Sequence, residues 1–258
     1  MKYRTHALVA FPALLLLTAC QSVVYLDNDT ANTDTSTNSD SDTNQCAPPG
    51  TTPLVCESFE QEITAINYVR NGDIRLDSDR VFDGNASLLC ETTQIESFAF
   101  ISNEFAPIES GVVYFRVHLF IPPGTITGTT KVLNLTSGES PDLEEVQGID
   151  INISSGCRVD IYQHGNQVRY QSEPDMVPEG EWFCLRGNYI ISATAGETTI
   201  WINDGLAVST TANTDSIING GVSQFRTGIG WTEQGQTTAV FYFDNVLVDT
   251  IPVDCAAP

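Results

Sequence analysis

Residues 180–205, GEWFCLRGNYIISATAGETTIWINDG, decide the fold class of this chain. The segment holds two apolar, aromatic-rich runs joined by a turn around Ala195 and Gly196, which is the pattern of a β-hairpin. Successive side chains of a strand point to opposite faces. In the first run, one face carries Trp182, Cys184, Arg186 and Asn188, and the other carries Phe183, Leu185, Gly187 and Tyr189. The second run ends in Asn203-Asp204-Gly205, a strong tight-turn signal.

Similar runs extend in both directions from this hairpin. They are separated by clusters of Gly, Pro, Asn or Asp, and no segment shows sustained helical periodicity. The predicted strands are residues 55–59, 66–69, 86–91, 97–103, 112–121, 130–135, 149–153, 157–163, 167–172, 182–191, 198–203, 224–231 and 240–249. The pattern predicts a single all-β domain over residues 46–258, built as a two-sheet antiparallel sandwich.

The hairpin motif W-x-C-L-R-x-x-Y, followed by T-I-W-I-N-D-G, resembles the central hairpin of the concanavalin A-like (laminin G-like) jelly rolls. This superfamily contains legume lectins, carbohydrate-binding modules, glucanases and polysaccharide lyases. FDGNASL at residues 82–88 and YFDNVLV at residues 242–248 resemble the same superfamily. The resemblance implies a concanavalin A-like jelly roll and a polysaccharide or other glycan as the partner. Such motifs are specific to a fold rather than to an activity.

Residues 1–19 are predicted to form a lipoprotein signal peptide. Lys2 and Arg4 precede an apolar stretch that is too short to span a bilayer of about 30 Å, and the lipobox LTAC follows at residues 17–20. The resemblance to bacterial lipoproteins implies cleavage before Cys20 and lipidation of its thiol. The absence of Asp after Cys20 implies the outer membrane, with the domain periplasmic or surface-exposed. An ordinary signal peptide with an incidental cysteine is the alternative.

Residues 20–45 are predicted to be the lipidated cysteine and a disordered acidic tether. Residues 27–45 contain only Asp, Asn, Thr, Ser, Ala and Gln. This composition cannot bury enough apolar area to offset the entropy lost on ordering. Fully extended, these residues would reach about 60 Å. The tether could therefore hold the domain away from the lipid headgroups.

The charge of the chain limits its partners. The formal net charge is −22, and loss of the cations in the signal peptide would make the mature chain more acidic still. Nucleic acid is excluded as a partner on this ground, and an anionic polymer would need local Arg and Lys residues to override the field. A solvated acidic surface is the simpler interpretation of the charge.

The chain has seven cysteines, so lipidation of Cys20 leaves an even number. In an exported protein, six cysteines predict three disulfides, although several pairings stay open. Cys46 and Cys56 flank a short Pro-Pro-Gly loop, and Cys255 could bridge to Cys184. This choice would leave Cys90 with Cys157. A zinc site is a weaker alternative because the sequence contains no C-x-x-C pair.

Candidate ligand-binding residues follow from the alternation along the strands. An open sheet face with aromatic, cationic and imidazole groups suits a glycan, because sugar C–H faces stack on rings and uronate groups pair with Arg. The candidates are Tyr114, Arg116, His118, Asp160, Tyr162, Arg186 and Asn188. Each could equally be an ordinary solvated or satisfied position on an exposed sheet.

Two catalytic chemistries occur in the superfamily. Its glucanases carry an E-x-D-x-E pattern, of which GIDIN at residues 148–152 retains only Asp150, so a retaining glucanase is rejected. Superfamily lyases use a tyrosine or histidine base with residues that neutralise a uronate carboxylate. Arg116, His118, Tyr162 and His164 supply these residue types, but the chain lacks the longer motifs of the alginate lyases. We therefore predict a glycan-binding module, with a β-eliminating polysaccharide lyase as the alternative.

A structural calcium ion is a further expectation. In many jelly rolls the first and last strands are neighbours, and resemblance implies a calcium ion at that seam. The matching residues are Glu60 and Asp244. Calcium takes six to eight oxygen ligands, so backbone carbonyls or water would have to complete the site. Two solvated carboxylates at strand ends are the alternative.

Overall fold

A computed structural model describes residues 46–47, 51–137, 147–192, 194–211 and 221–255. The described residues form fifteen strands and no helix. Accordingly, no described segment is a helix long and apolar enough to cross a membrane. The predicted signal peptide, Cys20 and the tether lie outside the described residues.

The strands follow one another along the chain with short connections. They are β1 (Val55–Glu57), β2 (Ile66–Arg70), β3 (Gly72–Asp77), β4 (Ser87–Thr92), β5 (Phe98–Ile108), β6 (Gly111–Phe120), β7 (Thr130–Ser137), β8 (Gln147–Ser154), β9 (Arg158–Gln163), β10 (Val168–Gln171), β11 (Trp182–Ile191), β12 (Glu197–Ile202), β13 (Gly205–Thr210), β14 (Val222–Thr232) and β15 (Ala239–Asp249).

These strands form two antiparallel sheets. Sheet A has the order β13-β12-β11-β6-β15-β4-β3, with β1 paired to β15, and sheet B has the order β10-β9-β8-β7-β14-β5-β2. The predicted all-β, two-sheet antiparallel sandwich is confirmed. The core lies between the sheets, and each sheet also has an outer face that points away from it.

Alternation along the strands determines which residues enter the core. In β11, Phe183, Leu185 and Tyr189 are buried in the core cluster, as the hairpin pattern predicted. Gly187 lies on the same face, where a Cβ would come within 2.4 Å of the Phe115 ring. Only glycine therefore lets the aromatic ring of β6 pack directly against the β11 backbone.

Two strands were missed by the sequence analysis, which predicted thirteen. These are β3 and β13, the two edge strands of sheet A. Edge strands bury less of their surface, so β3 (GDIRLD) mixes charged and apolar residues and has no fully buried residue. An edge strand has only one neighbouring strand and packs less of its surface against the core. Its sequence therefore shows only weak alternation of apolar and polar residues.

Two of the three predicted disulfides are present, Cys46–Cys56 and Cys184–Cys255. The predicted third pair is wrong, because Cys90 and Cys157 are both free thiols. Cys90 lies in β4, which packs against β5 and β14, whereas Cys157 precedes β9, which packs near β13. The two cysteines thus lie toward opposite ends of the sandwich, beyond the reach of a disulfide.

Candidate functional site

The outer face of sheet B carries a cluster of buried polar side chains. In β7, β8 and β14, the residues on one face enter the core, and Asn134, Asp150 and Arg226 lie on the opposite face. Register pairing places Asn134 beside both Asp150 and Arg226 across three adjacent strands. The topology of sheet B therefore gathers polar groups that are far apart in the sequence.

Asp150 is the centre of this cluster. Its carboxylate accepts hydrogen bonds from Lys131 Nζ at 2.7 Å, His164 Nε2 at 2.9 Å and Asn134 Nδ2 at 2.6 Å. Burial by itself would raise the pKa of Asp150, but the positive charge of Lys131 and the bond from His164 outweigh it and lower the pKa below its ordinary value. Asp150 is therefore an ionised carboxylate with a cation, an amide and an imidazole fixed around it. We call these four residues the Asp150 cluster.

Arg226 lies next to the Asp150 cluster on β14. Its guanidinium donates to Gln224 Oε1 at 3.0 Å and lies 5.4 Å from the centre of the Phe100 ring. Burial lowers the pKa of Arg226, while Asp150 and Glu104 act in the opposite direction. A guanidinium in this position can form paired hydrogen bonds to a carboxylate.

A small depression opens between Arg226 and Lys131. Only about 10 Å³ of it is open to a water-sized group, and its lining includes Phe100, Lys131, Asn134, Arg226, Gly228 and Gly230. At Gly230 a Cβ would lie 2.7 Å from Lys131 Cδ, and Gly228 has a positive φ of 129°. The two glycines leave room for the cationic side chains.

Strand β9 supplies the half-exposed edge of the site. Tyr162 pairs with Asp150 in register, and its ring meets the His164 ring edge-on at 5.0 Å. Asp160 is fully buried, accepts from Asn152 Nδ2 at 2.8 Å and lies 3.5 Å from Arg169. Burial raises the pKa of Asp160, and its hydrogen bonds partly offset that effect. Tyr162 and His164 are therefore the groups of this edge that a ligand can approach.

The predicted site residues do not lie in one groove. Asp160, Tyr162 and His164 lie on the outer face of sheet B, whereas the others lie on the outer face of sheet A, on the opposite side of the core. The members on sheet A are Tyr114, Arg116, His118, Arg186 and Asn188. The expectation of a single open face is wrong.

Arg116 and His118 are covered rather than open. Arg116 donates to the backbone carbonyls of Cys46 at 2.8 Å and Asp254 at 3.1 Å, so it holds both ends of the domain. The His118 ring stacks on Phe82 with centroids 3.7 Å apart. Burial, together with the charge of Arg116, lowers the pKa of His118 to about 4. The sequence predicted that this face would be open. Alternation shows which face of a strand a side chain lies on, but it does not show which other segments of the chain cover that face.

The remaining predicted residues of sheet A make local contacts. Arg186 bonds to Asp204 at 3.1 Å and lies over the Trp201 ring at 4.5 Å. Asn188 accepts from the backbone N–H of Thr199 at 3.1 Å. These contacts support the β11–β12 pairing.

Lys131, Asn134 and Arg226 were missed as site residues. Their strands were predicted, and alternation already places Asn134 and Arg226 opposite the core residues. For Lys131, a shift of register between Lys131 and Leu133 breaks the alternation, so its face could not be read. To group these three residues with Asp150, one would have to know which strands are neighbours in the sheet, and the sequence does not show this.

Glu60 and Asp244 both bind the loop between β3 and β4. Glu60 accepts from the backbone N–H of Asn85 at 2.8 Å, and Asp244 accepts from those of Phe82 at 3.0 Å and Asp83 at 3.3 Å. Burial, with a smaller effect from the charge of Glu60, raises the pKa of Asp244 to about 7. The described part of the chain contains no group of three or more His, Cys, Asp or Glu arranged to hold a metal. A cation here would use these two carboxylates and need further oxygens from backbone or water.

No protein-family profile and no curated protein matches this sequence. Solved structures do match its fold. An endo-β-1,4-glucuronan lyase from the fungus Trichoderma reesei has a TM-score of 0.56 at 15% identity, covering 71% of this chain and 90% of its own. Cellulose induced protein Cip1 has a TM-score of 0.54 at 15% identity, covering 72% and 89% respectively.

The domain has a concanavalin A-like jelly-roll fold. The globular domain of T. cruzi calreticulin has a TM-score of 0.51 at 13% identity, covering 78% of this chain and 89% of its own. A lyase and a calreticulin domain thus share this jelly roll. The fold alone therefore does not assign an activity, and the function has to be argued from the site.

Proposed function

We propose that this jelly roll binds a uronate-containing polysaccharide on the outer face of sheet B and cleaves it by β-elimination. The observation that carries the proposal is the position of Tyr162 beside Arg226 and the Asp150 cluster, of which His164 is a member. The arrangement provides, on one face, a base, an acid and a cationic side chain that can bind a carboxylate. The sequence left two functions open, glycan binding and glycan cleavage. Only cleavage makes use of the base, the acid and the cation together.

The chemistry needs no oxidant and no second substrate. The uronate carboxylate would lie against the Arg226 guanidinium, whose positive charge lowers the cost of removing the proton from the adjacent C5. Asp150 accepts the Nε2 proton of His164, so the neutral imidazole has its lone pair on Nδ1 and can take that proton. The C4–O4 bond then breaks, a C4–C5 double bond forms, and Tyr162 supplies a proton to the leaving oxygen.

The fold neighbours and the charge distribution support this proposal. A glucuronan lyase has the same fold, and at 15% identity only the fold, not any residue's role, is compared with this chain. The chain has a net charge of −22, so a polyanion must meet local cations, and Lys131, Arg169 and Arg226 lie on this face. We expect binding to weaken as salt rises, because screening reduces the attraction of exposed charges such as Arg169.

The test is the ultraviolet absorbance of unsaturated product when the purified domain is mixed with polyglucuronate, alginate or pectate. Tyr162→Phe and His164→Gln should each reduce the rate by about 100-fold or more, the usual contribution of an acid or base. Tyr114→Phe, a matched change on sheet A, should leave the rate unchanged. If none of the three polymers yields product, cleavage of these uronates is refuted.

Binding without cleavage is the second candidate, and burial favours it. Asp150, Lys131 and Arg226 are each less than a tenth exposed, so a polymer can reach only a small part of the cluster. Retention of a uronate glycan on a glycan array without any product would identify the protein as a binding module.

We further propose that the protein is an outer-membrane lipoprotein. Cys20 would carry the lipid, and the acidic residues 27–45 would separate the domain from the bilayer. The membrane would be contacted through this anchor alone, and the acidic charge argues against nucleic acid as a partner. Labelling of wild-type protein but not Cys20→Ala by a fatty-acid probe would support the anchor.

A further inference from the structure

The outer face of sheet A carries a row of three aromatic side chains. Phe120 of β6 pairs in register with Trp182 of β11 on one side and with Tyr242 of β15 on the other. The ring centroids are 5.8 Å and 5.9 Å apart. The neighbours of each residue along its strand enter the core, so these three rings all lie on the outer face. We call Trp182, Phe120 and Tyr242 the aromatic row.

The outer rings of the row are open to a ligand. Phe120 is only 4% exposed, whereas Trp182 and Tyr242 are half-buried. Phe82 meets Trp182 edge-on at 5.9 Å and limits its movement. Because Trp182 and Tyr242 are two strands apart, their backbones are separated by about 10 Å, which is comparable to the length of a disaccharide. Neighbouring sugar rings could therefore rest on the two half-exposed side chains.

Arg80 supplies polar donors at the centre of the row. Its guanidinium lies 4.0 Å from the centre of the Phe120 ring and 5.7 Å from that of Tyr242. Arg80 is exposed, and among the described residues no carboxylate lies within ion-pair distance of it. Its N–H groups can therefore donate to a ligand that lies across the rings.

The charge around Arg80 decides which kind of glycan fits. Asp77, Asp79 and Asp83 belong to the same segment, and the Asp77 carboxylate already accepts from the backbone N–H groups of Asp79 and Arg80. One cation beside three carboxylates leaves this surface acidic, so a polyanion would be repelled. A neutral sugar meets no such penalty, because its hydroxyl groups can accept from Arg80 and its C–H faces can stack on the rings.

We infer that the aromatic row and Arg80 form a second glycan-binding site, which takes neutral, β-linked pyranose units. It lies on the opposite side of the core from the Asp150 cluster and does not depend on any catalytic activity there. The domain would then hold a neutral glycan on sheet A while sheet B remains free for an acidic one.

The test is calorimetric titration of the whole domain with cellohexaose and with mannohexaose, and with polyglucuronate as the anionic comparison. At least one neutral hexasaccharide should bind. Tyr242→Ala and Arg80→Ala should each weaken that binding by about tenfold, and Tyr162→Phe should not change it. Arg80 is exposed, so its replacement leaves the core intact, and an unchanged thermal midpoint verifies this for both variants.

Three results would overturn the inference. They are absence of binding to both neutral hexasaccharides, equal affinities of the wild type and the two sheet A variants, and a loss of polyglucuronate binding in Arg80→Ala. The first two would leave the proposed function of sheet B untouched. Conversely, failure to cleave uronates would not affect the neutral site.

Discussion

Replacement of Asp150 by Asn is the sharpest perturbation of the Asp150 cluster. The change keeps the shape of the side chain but removes the charge that pairs with Lys131 at 2.7 Å. Lys131 is only 7% exposed, so it would be left as a buried cation without its partner. Breaking one side of a buried pair costs about 3–5 kcal/mol of the free energy of unfolding.

Urea unfolding followed by tryptophan fluorescence measures this loss, with the slope expected to stay unchanged. The matched control is Asp204→Asn, since Asp204 pairs with Arg186 at 3.1 Å but its side chain is 67% exposed. That variant should lose no more than about 1 kcal/mol. The double variant Lys131→Met with Asp150→Asn should be more stable than Asp150→Asn alone, because the unpaired charge is gone.

The pH dependence of stability gives an independent readout. The pKa of Asp150 is lowered in the folded state, so its ionisation contributes stability above its ordinary pKa, and that contribution is lost as the pH falls through the folded value. Asp150→Asn should lack this part of the acid destabilisation. An unfolding free energy within about 1 kcal/mol of wild type, or simple additivity in the double variant, would refute the buried-pair argument.

Three further predictions concern the rest of the chain. Cys255→Ser should cost about 2–5 kcal/mol by removing the bridge to Cys184, and non-reducing peptide mapping that found either cysteine paired elsewhere would contradict this. Cys20→Ala should release the protein from the membrane fraction, whereas retention there would reject the lipid anchor. In excess chelator, the thermal midpoint should fall as the pH rises from about 4 through about 7, because the raised pKa of Asp244 means that the folded state favours its protonated form. Calcium should remove that loss in the wild type, whereas Asp244→Asn should show neither that loss nor a response to calcium, and a wild-type midpoint insensitive to calcium would dismiss the site.

The sequence was sufficient for the fold class, for the central hairpin and for the inward faces of its strands. Phe183, Leu185 and Tyr189 could be assigned to the core because alternation with a period of two is a local property of each strand. Two disulfides could also be anticipated, from a short loop and from the position of the chain end. The edge strands β3 and β13 were missed because little of their surface needs to be apolar.

Only the tertiary structure decided which outward residues meet. Strand β6 lies between β11 and β15, and the segments at Cys46 and Asp254 lie against it, so Arg116 is buried and bonds to their carbonyls instead of contacting a ligand. In sheet B, the adjacency of β14, β7 and β8 brought Arg226 and Lys131 to Asp150. Alternation tells which face of a strand a side chain occupies, but the choice of neighbouring strand depends on long-range packing between segments far apart in the chain, and no local pattern encodes it.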